Sequence, residues 1–225
     1  MNYVDFEQVM SRPRMNRYLV ACGNDRRKAM TLYRLNLRLS QEMFTIISCF
    51  EIAFRNSIDR HYSSVHGSNW LRNSFLSGGI FDNPRCRITR EIIRKAYNGL
   101  GRYSHSKLLA EMDFGFWRYL FGRNQYLAGG QTLLVVFPSR PRSSSVHYNR
   151  TYMFNQLMKI NKFRNRIAHH EPICFRSRSQ VIDSSYIREI YDLLVDLFSW
   201  MGINARDLLY GLDHLDKLAT KLDNL

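Results

Sequence analysis

The sequence predicts an all-α fold, a bundle of several helices with a loop-rich basic segment in the middle of the chain. Apolar residues recur at helical spacing in several segments, and residues that start and stop helices flank them. Strand signals are scarce, and the strongest, residues 133–137, fits a buried helical turn equally well. We expect a single domain over 1–225, with N-terminal helices in 1–39, a core that carries the motifs in 40–172 and C-terminal helices in 173–225.

The first helices are predicted from their end residues. Pro13 can open a helix that runs to Cys22 and ends at Gly23, and Asn24 or Asp25 can cap the next helix. We expect Ser40 to be the N-cap of a separate helix that closes at Gly67. Its apolar positions recur at helical spacing and form one stripe: Met43, Ile47, Phe50, Phe54 and Ile58.

The middle and end of the chain continue the helical pattern. Asn83-Pro84 opens a helix to about Leu100, and short helices are expected at 108–112 and 115–121. Residues 139–145 form a loop by composition. A helix is then expected over 150–170. It is expected to stop there because the residue before Pro172 avoids the helical region. Ser184 or Ser185 caps the next helix, and two short helices finish the chain.

The charge of the chain favours a polyanion as partner. The net charge is +14, and residues 51–150 contribute +9 of it. Tyrosine and tryptophan are interleaved with the arginines there, which is typical of single-stranded nucleic acid sites, although the same arginines can also solvate helix faces. The candidates for RNA contacts are Arg85, Arg87, Arg140, Arg142 and Arg166.

Several other classes of protein are not expected. The four cysteines form no C-x-x-C pair, so we expect them reduced and mostly buried, with no structural zinc site. The first ten residues do not resemble a signal peptide, and the longest apolar stretch, 43–54, is too short and too polar to cross a bilayer. We therefore expect a cytoplasmic protein with no metal, no cofactor and no membrane partner.

The helix predicted over 150–170 breaks its own apolar pattern. Its stripe is expected to run Met153, Leu157, Ile160, Arg164 and Ile167, which places a guanidinium at a core-facing position. A buried guanidinium needs a charged partner, a cleft or a subunit interface. The sequence leaves all three open, because the four residues on either side of Arg164 include no carboxylate.

The last turns of this helix collect groups that bind anions. Asn165 and His169 are four residues apart and share a helical face, as do Arg166 and His170. Phosphate is a natural ligand for two arginines, an amide and two imidazoles. The alternative is an arginine paired with a distant acid beside two solvated histidines.

This segment resembles a known signature. Arg164-Asn165-x-x-x-His169 resembles the R-x4–6-H motif of the HEPN superfamily, helical proteins that include many metal-independent ribonucleases. The string 164–172 is similar to the Abi-like family within it, which is associated with abortive-infection defence against phages. Three companion stretches carry the same likeness: 51–61 followed by Trp70-Leu71, 108–117, and 161–163.

The resemblance implies an activity and a set of roles. It implies an endoribonuclease in which the 2′-hydroxyl attacks the adjacent phosphate and leaves a cyclic phosphate and a free 5′-hydroxyl. His169 would be the general acid or base, and Arg164 would bind the phosphate. Asn165 would orient His169 or the phosphate. His170 is a secondary candidate for the second proton transfer. Such a toxin implies a silencing partner, either an antitoxin protein or a small inhibitory RNA.

Two features bear on how the site is assembled. Arg164 and His169 are five residues apart, about 140° around a helix, so one helix cannot easily direct both at one phosphate. The resemblance implies that two copies pair their motifs in a homodimer. Arg55-Asn56-x4-His61 has the same spacing and is either a second motif, an ion pair of Arg55 with Glu51 plus a packed His61, or a group beside Arg164 in which Glu51 pairs with it.

Other interpretations remain open. The protein can be a non-catalytic RNA-binding module that uses the same basic surface, or an oligomerising scaffold in which Arg164 forms an interface salt bridge. The remaining histidines lack partners at metal-ligand spacing, and we expect surface or loop positions for them: His66, His105, His147 and His214.

Overall fold

The computed structural model of the chain describes residues 1–177 and 179–225. Over these residues it is helical, with one isolated antiparallel bridge between Phe175 and Ile182, which confirms the all-α prediction. Residues 133–136 form a 3-10 turn, so the strand alternative for 133–137 is wrong. The helices described are α1 (Tyr3–Met10), α2 (Arg12–Ala21), α3 (Arg26–His66), α4 (Trp70–Asn73), α5 (Arg87–Gly99), α6 (His105–Ala110), α7 (Phe114–Tyr119), α8 (Arg123–Ala128), α9 (Arg150–Ala168), α10 (Ser185–Trp200), α11 (Ala205–Leu208) and α12 (Leu215–Asp223).

Local signals define most helix ends as expected. Pro13 lies in the first turn of α2, and Gly23 follows that helix with a positive φ of 60°. Asp25 caps α3, because its Oδ1 accepts hydrogen bonds from the backbone N–H groups of Arg27 and Lys28. Asn83 caps the 3-10 turn that leads into α5 in the same way.

The expected break at Ser40 is wrong. Helix α3 runs through this residue without interruption over 41 residues. The buried stripe continues on both sides of Ser40, from Leu32 and Leu39 to Met43 and Ile47, all at most 1% exposed. Packing of this stripe favours a continuous helix, and the residues around Ser40 include no proline or glycine that would end it.

The chain divides into two compact units, each built from separated stretches of sequence. The first contains residues 1–48, 162–195 and 205–225, and the second contains 49–161 and 196–204. Three of the four boundaries fall within α3, α9 and α10, and the fourth lies directly before α11. The predicted single domain with its three subdivisions remains a prediction.

Each unit has an aromatic core of its own. In the first, the ring of Tyr18 lies 5.0 Å from that of Tyr33 and 5.3 Å from that of Phe175. In the second, the ring of Phe54 lies 5.6 Å from that of Phe50 and 5.8 Å from that of Phe121. These large side chains exclude water from the interior of each unit and so hold the helices that carry the candidate residues.

The buried stripe of α9 differs from the expected one at its end. Met153, Leu157 and Ile160 are fully buried as predicted, but the next fully buried residue is Phe163, not Arg164. The ring of Phe163 packs edge-on against Tyr186 of α10 at 5.3 Å. Arg164 is therefore only half-buried, beside the stripe instead of within it. An aromatic ring in the core avoids the cost of burying a guanidinium.

The redox state of the cysteines and the hydropathy of the helices were both addressed by the sequence. All four cysteines are free; Cys86 and Cys174 are buried, whereas Cys22 and Cys49 are half-buried. In residues 1–177 and 179–225, no helix has the length and apolar character needed to cross a membrane.

Candidate active site at the end of α9

The C-terminus of α9 is closed by a Schellman motif. The backbone N–H of Glu171 donates to the carbonyl oxygen of Arg166 at 2.8 Å, and that of His170 donates to Ile167 at 2.9 Å. These two bonds satisfy carbonyl groups that a helix end leaves free. The helix predicted to reach residue 170 does end before Pro172, but its regular part stops two residues earlier than expected, at Ala168, and His169 takes the cap position of the motif.

His170 occupies the left-handed position of this motif, with φ of 56°. Glycine is the usual residue there, because a Cβ atom makes this conformation unfavourable. The backbone turn therefore directs the chain away from the helix directly after His169. His169 and His170 are both exposed at this turn.

Arg166 is used to hold the turn in place. Its Nη2 donates to the carbonyl oxygen of Pro172 at 2.6 Å, and its Nε lies 3.4 Å from a carboxylate oxygen of Glu171. Its guanidinium also lies 5.7 Å from the ring centroid of Tyr186. The hydrogen bond to Pro172 and the ion pair with Glu171 make Arg166 an anchor of the turn, although its buried Nε has no hydrogen-bond partner within the described residues.

Two distant residues fix the chain that leaves the motif. Arg14 of α2 donates from Nη1 to the carbonyl oxygen of His170 at 2.7 Å. Asn36 of α3 accepts from the backbone N–H of Ile173 at 2.8 Å, within the core of the first unit. The segment 170–173 is therefore held by side chains from α2, α3 and α9.

The three catalytic candidates differ in their surroundings. Asn165 and His169 are exposed, and the backbone N–H of His169 still donates to the carbonyl oxygen of Asn165 at 2.9 Å, which keeps the two residues on one helical face. Arg164 is half-buried, and its Nε is buried with no hydrogen-bond partner in the part of the chain that the structure describes. Arg118 Nε and Arg166 Nε are buried without a hydrogen-bond partner in the same way, so any contact of Arg164 with an anion would use the terminal nitrogens of its half-buried side chain.

The group Glu51, Arg55, Asn56 and His61 lies on α3 within the second unit. Arg55 Nε donates to Asn56 Oδ1 at 3.3 Å, and His61 Nε2 is 2.7 Å from the hydroxyl of Thr132. Burial, followed by the proximity of His66, lowers the pKa of His61 below 6.5. His61 thus has a local partner within its own unit. A role of this group beside Arg164 remains a prediction.

Two histidines that we expected at the surface are partly buried instead. His105 is 20% exposed, and its Nε2 bonds to Asp59 Oδ1 at 2.7 Å; the same carboxylate oxygen accepts from Trp70 Nε1 at 2.8 Å. His66 packs against Tyr62 and its Nε2 is buried. The surface prediction is wrong for these two. The bond to Asp59 lets the ring of His105 be buried at little cost. His66 is held by ring packing against Tyr62, and its buried Nε2 has no hydrogen-bond partner among the described residues.

The arginines predicted to contact RNA divide into free and structural ones. Arg85 and Arg142 are exposed. Arg87 is 71% exposed at its side chain and forms an i, i+4 ion pair with Glu91 at 3.2 Å. Arg140 donates from Nη1 to the carbonyl oxygens of Leu134 and Phe137, at 3.0 and 3.1 Å, so it stabilises the turn at 133–137.

A second basic feature escaped the sequence analysis. Arg34 and Arg38 of α3 and Lys221 of α12 line one cleft in the first unit. The signal was present, because Thr31, Arg34 and Arg38 are spaced to share one face of a helix. Over residues 1–177 and 179–225, no group of three or more His, Cys, Asp or Glu side chains is placed to hold a metal ion.

Comparison of the chain with protein-family models, with curated proteins and with solved structures gives no match. The likeness to the HEPN superfamily therefore rests on the motif residues of this chain.

Proposed function

We propose that the protein is a metal-independent endoribonuclease with a HEPN-like fold. The observation that carries the proposal is the composition and exposure of the end of α9. An exposed imidazole and an exposed amide share one helical face there, next to the half-buried arginine Arg164. A phosphodiester provides both the anionic oxygens that a guanidinium can bind and the proton transfers that an imidazole can perform.

Each residue has a role in the proposed reaction. His169 removes the proton from the 2′-hydroxyl, or donates one to the departing 5′-oxygen. The 2′-oxygen forms a bond to phosphorus as the bond to the 5′-oxygen breaks, which leaves a 2′,3′-cyclic phosphate and a 5′-hydroxyl. Arg164 binds the non-bridging oxygens, on which charge builds, and Asn165 orients His169 or the phosphate. His170 is a secondary candidate for the other proton transfer.

The proposed active form is a homodimer. The five-residue spacing of Arg164 and His169 turns their side chains about 140° apart on the helix axis, so each copy presents them in different directions. Two facing copies can supply an arginine from one chain and an imidazole from the other to the same phosphate. A strictly monomeric but fully active protein would contradict this part of the proposal.

The biological role is proposed from the Abi-like resemblance. The protein would act in the cytoplasm as an abortive-infection effector or toxin, held silent by an antitoxin protein or a small inhibitory RNA until phage infection. An RNA-cleaving activity is harmful to its own cell, which is why a silencing partner is part of the proposal.

A non-catalytic RNA-binding module is the alternative. The exposure of Arg85 and Arg142 supports it, because free cations bind the phosphate backbone whether or not cleavage follows. In this case His169 has no chemical role, and its removal leaves RNA affinity and RNA integrity unchanged.

The decisive experiment is RNA cleavage by purified protein in excess EDTA. We compare wild type with His169→Ala, and His147→Ala serves as the matched control because His147 is also an exposed histidine. We expect cleavage by wild type and by the control, with cyclic phosphate ends, and a loss of about 100-fold or more in the His169 variant. Equal cleavage by all three proteins would remove His169 from the mechanism, whereas RNA binding without cleavage by any of them would favour the binding module.

A further inference from the structure

The cleft between Arg34, Arg38 and Lys221, here called the cationic cleft, has a volume of about 460 Å³ and lies within the first unit. Helix α3 supplies most of its lining, and α12 supplies one lysine. The residues that line this cationic cleft are Thr31, Arg34, Leu35, Leu37, Arg38 and Lys221.

The charge of the cationic cleft is uncompensated locally. Its lining contains three cations and no carboxylate. Arg34 is positioned by the ring of Phe6, with its guanidinium carbon 5.2 Å from the ring centroid. Arg38 and Lys221 are exposed, and none of the ion pairs found in the described residues involves them.

Acids close to the cationic cleft along the chain are committed elsewhere. Glu42, one turn after Arg38, accepts a hydrogen bond from the backbone N–H of His214. Asp223, two residues after Lys221, accepts from the hydroxyl of Ser184 at 2.7 Å and lies 3.6 Å from Arg188. The fold thus directs these carboxylates to other partners and leaves the cationic cleft positive, an arrangement that attracts an anion.

The cationic cleft lies on the far side of α3 from the segment that follows the motif. Asn36, which holds Ile173, is two residues from both Arg34 and Arg38 and therefore points about 160° away from each around the helix. An anion in the cationic cleft is consequently a separate ligand from the phosphate at His169, or a different part of the same long polymer.

We propose that the cationic cleft binds the phosphodiester backbone of a single RNA strand, away from the bond that is cut. This inference rests on the proposed function for the identity of the polymer. Exposed cations along an open cleft are typical of sites that follow a backbone, whereas a free phosphate is usually enclosed by several donors. The apolar surface of Leu37, which is 46% exposed, offers a contact for a ribose or a base beside the phosphates.

The test measures RNA affinity in a background that cannot cut. Fluorescence anisotropy with a labelled single-stranded RNA of about 20 nucleotides compares His169→Ala alone with the same protein carrying Arg34→Ala, Arg38→Ala and Lys221→Ala. We expect about tenfold weaker binding at low salt and a salt-dependence slope smaller by about 2, since each cation lost removes about 0.7 of slope on a single strand.

A matched triple variant separates the cationic cleft from general charge. Arg12→Ala, Lys28→Ala and Arg102→Ala remove three exposed cations outside the cationic cleft, and we expect its affinity to stay within about threefold of the parent. Circular dichroism and thermal midpoints show whether each variant is folded. Equal affinity of the two triple variants overturns the inference.

Cleavage assays distinguish the inference from the proposed function. In otherwise wild-type protein, the cleft substitutions should raise KM for long RNA about tenfold and leave cleavage of a dinucleotide unchanged, because a dinucleotide is too short to reach both sites. If the cleft variant cleaves long RNA with an unchanged KM, RNA binding by the cationic cleft is contradicted and the proposed ribonuclease activity stands. If RNA binding depends on the cationic cleft but no RNA is cleaved, the inference about the cationic cleft stands and the proposed ribonuclease activity is contradicted. Stabilisation by inorganic phosphate alone, with RNA affinity unaltered, also overturns the inference.

Discussion

Asn36 Oδ1 accepts a 2.8 Å hydrogen bond from the backbone N–H of Ile173, and both residues are at most 3% exposed. The bond joins α3 to the segment that follows the His169–His170 turn. It satisfies a buried backbone donor in a stretch that has neither helix nor strand partners. This amide on α3 thus holds the chain after the motif together with Arg14 and Arg166.

Removal of this amide is expected to destabilise the protein. Asn36→Ala leaves the buried N–H of Ile173 without an acceptor, and we expect the free energy of unfolding to fall by about 1–3 kcal/mol. Urea denaturation measures the change. Asn16→Ala, at an exposed asparagine of α2, is the control and should change stability by less than about 0.5 kcal/mol. A similarly small effect at Asn36 would contradict the anchoring role.

The left-handed conformation of His170 predicts a stabilising substitution. His170→Gly removes the Cβ atom that makes φ of 56° unfavourable, and we expect the free energy of unfolding to rise by about 1 kcal/mol. Ala168→Gly, two residues earlier and still in the helix, should lower it by about 0.5–1 kcal/mol. A loss of stability in the His170 variant would show that its side chain, and not only its backbone, holds the turn.

The environment of His61 predicts a pH dependence. Burial and the nearby His66 lower its pKa below 6.5 in the folded protein, so the unfolded chain binds the proton more readily. The stability that the neutral His61 contributes is present above pH 6.5 and is lost as the pH falls through the folded pKa. We expect His61→Gln to flatten the fall in stability between about pH 7 and about pH 5, measured by denaturation at each pH.

An NMR titration provides the direct test of the same prediction. The midpoint for His61 should lie below the ordinary histidine value of about 6.5. A midpoint of His61 above 6.5 would contradict the burial argument.

Tyr62 carries a hydroxyl that is buried and has no hydrogen-bond partner within residues 1–177 and 179–225. Burial raises its pKa, so the group stays neutral. Tyr62→Phe removes an unsatisfied donor and keeps the ring contact with Trp70, whose centroid is 4.8 Å away. We expect stability to be unchanged or to rise by about 1 kcal/mol, with Tyr210→Phe, at an 89% exposed tyrosine, as the neutral control.

Gly129 tests the same hydroxyl from the opposite side. A Cβ atom at Gly129 would lie 2.0 Å from the Tyr62 oxygen, so Gly129→Ala should cost about 1–3 kcal/mol in the wild-type background. The cost should be smaller when Tyr62→Phe is also present. Equal costs in the two backgrounds would show that the hydroxyl is not the group that the added methyl meets.

Much of the helical structure was predictable because helix ends depend on neighbouring residues. Pro13, Asp25, Gly67 and Asn83 start or stop helices through contacts within about four residues, and the structure confirms each of them. The N-cap predicted at Ser40 was wrong because it relied on neighbouring residues alone. Its local signal as an N-cap was real, but packing of the apolar stripe on both sides of it decided for a continuous helix.

In the candidate site, too, some features depend on neighbouring residues and others on tertiary packing. The sequence by itself determined which residues stand at the end of α9, since Arg164, Asn165 and His169 are neighbours along the chain. Only the tertiary structure decided that Phe163 and not Arg164 is buried, that Arg166 holds the turn, and that Lys221 joins Arg34 and Arg38 in one cleft. Hydrogen bonds within a helix are set by adjacent residues, whereas burial and clefts depend on which distant helices meet, and no local pattern encodes that choice.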